Sequence, residues 1–124
     1  MRSLLLALIG ALASMPAVSD AREAPTIPPS MIGTWGWSAE SCARTDDDGR
    51  AIVRAMSVKF YVSVYELLDI VLQQDGTASA NALYREEGET GTSHAVIKLK
   101  MLTPDRLMVQ TESNGGHVYV RCRP

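Results

Sequence analysis

The chain has 124 residues, with 12 Lys+Arg against 14 Asp+Glu and a formal charge of −2. That length suits one domain, and the near-neutral balance excludes a nucleic-acid binder driven by bulk phosphate attraction. With 46% hydrophobic and 21% charged residues, and abundant Val, Leu and Ile, the chain is not intrinsically disordered.

The N-terminus reads Met1-Arg2-Ser3, then an apolar run from Leu4 to Ala13, then small residues and a proline. One positive charge, an apolar core and a small-residue exit are the parts of a secretory signal peptide, assigned here to residues 1–21. The run is about half of what a membrane-spanning helix needs, so no membrane span is expected. Cleavage after Ser19 and cleavage after Ala21 both meet the need for small residues, and Ala21 is preferred. No cysteine stands at the exit for lipid attachment. A soluble monomer in the periplasm or outside the cell is expected.

Export changes the meaning of Cys42 and Cys122. In an oxidising compartment an even pair is most simply one disulfide. It would tie the beginning of the folded part to its end, and a loop of that length stabilises by roughly 4–5 kcal/mol in the chain-entropy model. A reactive thiol or a metal pair would need helper residues, and none is nearby in sequence.

Residues 22–31 hold Pro25, Pro28 and Pro29 and no apolar period. Proline removes amide donors and favours extended chain, so this is an arm leading into a domain at 32–124. Structure is expected from Ile32, with Trp35 and Trp37 on one face at strand spacing. Residues 44–50 form a polar turn. Aligned on an EF-hand loop, Asp46, Asp48 and Gly49 leave Arg44 and Ala55 where oxygen ligands are required, so calcium is excluded. Residues 56–65 alternate, which predicts a strand with Met56, Val58, Phe60, Val62 and Val64 on one face. Residues 64–74 fit a helical stripe (Val64, Leu67, Leu68, Val71, Leu72) or a strand with a bulge near Glu66. The strand is favoured because Asp75-Gly76, a hairpin signal, follows.

The second half is more regular. Strands are predicted over 77–86 (with Ala78, Ala80 and Ala82), 93–101 (with Ala95, Ile97, Leu99 and Met101), 106–112 and 117–123. Turns fall at 86–91, at Thr103-Pro104-Asp105 and at Asn114-Gly115-Gly116. The pattern describes an all-β domain, a small antiparallel up-and-down barrel of about seven to eight strands closed by one disulfide.

Gly33-Thr34-Trp35 at the first strand, with Arg121 and Arg123 at the last, resembles the Gly-x-Trp and terminal-arginine signature of the calycins, the lipocalin-like barrels. The resemblance implies that a last-strand arginine packs on the first-strand tryptophan, an arrangement worth roughly 0.5–2 kcal/mol of cation–π attraction. Within the calycins, the chain resembles the small periplasmic inhibitors of secreted bacterial metalloproteases, through the arm, Gly33, Trp35 and Cys42. There the disulfide partner lies in the first half, whereas here it is Cys122. A looser likeness extends to small secreted bacterial proteins ending in an Arg-Cys strand. If the inhibitor likeness holds, Glu23, Pro25, Pro28 and Pro29 form a partner-binding arm directed at an exported protease.

Catalytic signatures are missing from the sequence. His94 and His117 lack zinc-protease spacing, no Gly-x-Ser-x-Gly elbow occurs, and Glu86, Glu87 and Glu89 flank turn glycines. No catalytic residue, metal or cofactor is assigned. The expected function is that of an exported non-enzymatic binding protein of the bacterial envelope. The alternatives are a carrier of a small apolar ligand and an envelope protein without one. Met56, Phe60, Val62, Ile97, Leu99 and Met101, expected to point inward, favour a filled interior.

Overall fold

The computed structural model describes residues 21–123, so the expected leader lies outside the described residues except for Ala21. The strands are β1 (Arg22–Ala24), β2 (Gly33–Gly36), β3 (Arg50–Val53), β4 (Ser57–Lys59), β5 (Ser63–Leu72), β6 (Ala78–Glu86), β7 (Ser93–Thr103), β8 (Arg106–Thr111) and β9 (Asn114–Arg121). A 3-10 turn, Pro29–Met31, precedes β2, and helix α1 (Ala39–Ala43) follows it. Strands β2 to β9 pair antiparallel with their sequence neighbours, and β9 returns to β2, closing an eight-strand ring. Strand β1 lies outside the ring against the second half of β5. The fold is thus the small closed antiparallel barrel that the sequence pattern describes, compatible with a calycin-like architecture.

The interior is built from alternation. Ala78 of β6 stands between Leu72 and Leu99, Ala80 between Ile70 and Ile97, and Ala82 between Leu67 and Ala95. Ala78 and Ala80 thus receive large residues from both neighbours and Ala82 from one, a common solution in narrow barrels. Trp35, Ile97, Leu99, Leu107, Val53, Val58 and Val109 complete one continuous buried cluster.

Four local expectations need correction. The stretch 56–65 is not one strand: β4 ends at Lys59 and the chain reverses through Phe60, Tyr61 and Val62, with the Ser63 carbonyl accepting from the Phe60 amide at 2.8 Å. The turn leaves Val62 exposed and puts Tyr65 inside instead of Val64, while Met56 is exposed because it lies in the β3–β4 turn ahead of β4. Second, the bulge in β5 falls between Leu67 and Asp69 rather than near Glu66, so Leu68 is expelled while Leu67 and Ile70 stay buried. Third, β2 stops at Gly36, so Trp37 leaves the face of Trp35 and is 47% exposed. Fourth, the last hairpin turns at Glu112 and Ser113, and Asn114 to Gly116 already belong to β9.

Residues 22–31 do not project as an arm. Strand β1 is registered on β5 through Arg22 with Leu72, Glu23 with Val71 and Ala24 with Ile70. Ile27 is 0% exposed, and its amide donates to the Ala55 carbonyl at 2.9 Å. Met31 is buried as well. Three prolines keep the segment out of the ring, while two apolar side chains fasten it to the ring's base.

Candidate functional site

The antiparallel order gives the barrel two unlike ends. At the base lie residues 22–31, the β3–β4, β5–β6 and β7–β8 turns, and the chain end after β9. At the rim lie the β4–β5, β6–β7 and β8–β9 turns, and the long β2–β3 connection links the two ends, since its helix α1 holds Cys42 against Cys122 at the chain end after β9.

The base brings Gly33, Trp35 and Arg121 together. Trp35 is fully buried, and its indole N–H donates to the Met31 carbonyl at 2.9 Å. The Arg121 guanidinium carbon lies 4.2 Å from the Trp35 ring centroid. Its nitrogens donate to the carbonyls of Ser30 at 2.6 Å and Pro104 at 3.2 Å, so one side chain bridges three segments of the base. Gly33 permits this approach, because a Cβ there would stand 3.3 Å from Arg121 Nη1 and its φ is +148°. Arg123 does not reach the indole. It is exposed, and Nη2 stands 3.8 Å from the Asp105 carboxylate.

Beside this kernel, Cys42 and Cys122 form a disulfide with a Cα–Cα distance of 5.3 Å. Strands β2 and β9 share only the pairs Trp35 with Arg121 and Gly36 with Val120. The bridge therefore staples a seam held by only two ladder pairs, the one that closes the ring. Ser38 caps α1 by accepting from the Ser41 amide at 3.3 Å, which aims Cys42 at the seam. A Cβ on Gly36 would come within 3.0 Å of Cys42 Sγ. The disulfide is compatible with an oxidising extracellular compartment.

Of the expected arm residues, Glu23 sits exposed in β1 opposite Val71, Pro25 and Pro29 are exposed, and Pro28 is half-buried ahead of the 3-10 turn. They line no common site.

The rim is aromatic. Tyr65 packs between Phe60 (ring centroids 5.7 Å) and Tyr84 (5.0 Å). Burial pushes the Tyr65 hydroxyl up, the Thr111 hydroxyl opposes this, and the Glu112 and Glu86 carboxylates add to it. The Tyr84 hydroxyl is pushed up to about 12, first by burial and then by its hydrogen bond to the Glu86 carboxylate. Burial likewise raises Tyr119, with the Trp37 indole opposing and Asp48 adding. Trp37 itself lies 5.7 Å from the His117 ring.

At the edge of this cluster the β4–β5 turn presents Tyr61, 50% exposed, and Val62, 49% exposed. Grooves of about 270, 420 and 360 Å³ surround the turn, and Tyr61 lines all three. The first is shared with Arg85, Glu86 and Glu87, the second with Arg44 and Asp46 to Asp48, and the third with Arg50, Ile52 and Lys59. The Glu87 amide donates to the Val62 carbonyl at 2.7 Å, which holds the tip against the β6–β7 turn. The sequence reading put Val62 in the core and singled out no rim residue. The available signal was weak: a turn without Gly, Pro, Asn or Asp interrupts an otherwise perfect alternation.

Among the described residues no three His, Cys, Asp or Glu side chains converge to hold a metal ion, and no helix is long and apolar enough to cross a membrane. No family model, curated protein or solved structure matches the chain.

Proposed function

We propose that the protein is an exported, non-enzymatic binding module of the bacterial envelope that holds a partner at the rim of its barrel. The observation that carries this reading is the placement of Tyr61 and Val62. Two large side chains stand half exposed at a turn bordered by three grooves, while the interior is occupied by its own core. Exposed aromatic residues at the centre of a grooved, charged surface are the usual anchors of protein interfaces. A filled interior supports protein binding over carriage of an apolar ligand.

The narrower role that the calycin resemblance suggests is inhibition of an exported protease, in the periplasm or outside the cell. Strand β1 and Ile27 are engaged with the barrel, so an arm-directed mode would first require breaking those contacts. The rim offers a surface that needs no such step.

Site-specific photocrosslinking in the exporting cell tests the reading. A benzophenone amino acid replacing Tyr61 should yield a discrete crosslinked partner that is absent when the same group replaces Glu23 at the base. Identical products from both positions, or products from Glu23 alone, would refute rim binding. A panel of secreted metalloproteases decides the narrower role. Micromolar inhibition that Tyr61→Ser abolishes supports it, and no inhibition of any protease removes it.

A further inference from the structure

Among the described residues, two cations on the outer face of β3 and β4 form no ion pair. Arg50 opens β3 and Lys59 closes β4, and both face outward because Ala51, Val53 and Val58 take the inward positions. Ile52 stands opposite Lys59 in the ladder, so Arg50 occupies the next outward position toward the rim, where Phe60 and Tyr61 begin the turn. These five side chains line the groove of about 360 Å³.

Arg50 is held in place there. Its Nη1 donates to the Arg44 carbonyl at 3.1 Å, while its Nε–H is buried with no acceptor. Neither Arg50 nor Lys59 forms an ion pair among the described residues; the same holds for Arg22, Arg54, Lys98 and Arg106, but those do not line this groove. The carboxylate that borders the groove, Asp47, is turned back to accept from the Gly49 amide at 2.7 Å. A guanidinium fixed by that bond and a lysine ammonium line the same groove, and a planar oxyanion placed between them accepts from both.

We infer that this groove is a carboxylate anchor: the partner places a carboxylate between Arg50 and Lys59 and lays its apolar remainder on Ile52, Phe60 and Tyr61. A monoanionic carboxylate fits better than a phosphate. Asp46, Asp47 and Asp48 stand close by in the chain and repel a dianion more strongly, and the guanidinium edge matches the carboxylate plane. The inference rests on the rim reading and specifies the chemistry of what the rim takes.

The test is a titration of the isotope-labelled protein followed by amide and Arg50 Nε–H resonances. N-acetylphenylalanine carries a main-chain carboxylate, and the α-amide of N-acetylphenylalanyl-aspartic acid carries only a side-chain one. N-acetylphenylalaninamide carries none. At least one of the acids should shift Arg50, Lys59, Phe60 and Tyr61 saturably, and the tighter of the two identifies the source of the carboxylate. The amide should bind about tenfold more weakly or less. Lys59→Met, at an exposed position that does not disturb the fold, should weaken the acid about tenfold, and Lys59→Arg should restore it. Equal binding of acid and amide would overturn the anchor while leaving rim binding standing. No saturable shift in this groove with either acid would overturn it as well.

Discussion

The two ends of the barrel are made of different materials. The base is a closed construction: Trp35 is buried beneath an arginine that satisfies carbonyls from separate segments, Ile27 and Met31 are buried beside it, and a disulfide clamps the seam. The rim is built from tyrosine rings whose hydroxyls face carboxylates and hydroxyls, and it ends in a turn where Tyr61 and Val62 stand half exposed. Ring closure is thus concentrated at the base, although Ile32, Met56 and Leu102 stand exposed there too, and rim residues can vary in chemistry without unsealing the core. Tyr61 and Val62 put two half-exposed apolar side chains at one turn, so a partner that covers the turn buries both.

The comparison can be broken most directly at the base. Trp35→Ala should lower the unfolding free energy by about 3–5 kcal/mol, the range for deleting a buried aromatic, as measured by urea denaturation. A loss under 1 kcal/mol would mean that the kernel does not hold the fold. Replacing Cys42 and Cys122 together by serine should cost about 2–5 kcal/mol. Intact mass with alkylation should find no free thiol in protein isolated from the exporting cell.

Alkaline titration sharpens the contrast from the rim side. The Tyr84 hydroxyl is raised from 10.0 to about 12, so the native state favours the neutral phenol. The stability this contributes is fully present below pH 10 and is lost as pH rises through 12. Tyr84→Phe should flatten the fall of stability in that window, read by denaturation midpoints at several pH values. The smallest effect belongs to the tip. Tyr61→Ser and Val62→Ser should each change stability by less than about 0.5 kcal/mol, because these side chains are already half in water.

What could be read from the sequence follows the same division. The alternation of Ala78, Ala80 and Ala82 and of Ile97 and Leu99 announced the regular wall, because a period of two survives wherever one face is buried. Trp35, Arg121 and the two cysteines could be found because each is a distinctive residue type. The rim and the irregular joints could not. Leu67 and Ile70 fall at helical spacing only because a bulge inserts a residue between them, and no composition signal marks that bulge. Phe60-Tyr61-Val62 looks like strand because it is β-branched and aromatic, yet the backbone turns there through the bond between Phe60 and Ser63. Helix α1 is five residues long, too short to show a helical period in the sequence. The prolines of 22–31 suggested free chain, but Ile27, the single apolar residue among them that is fully buried, decides the matter.

Native-state hydrogen exchange compares the two ends in one experiment. The Ile27 amide, bonded to the Ala55 carbonyl, should exchange almost as slowly as the ladder amides of Ile97 and Leu99, through openings close to global unfolding. The Tyr61 and Val62 amides should exchange orders of magnitude faster. Fast exchange at Ile27, matching the rim, would contradict a built base and return residues 22–31 to the status of a free arm.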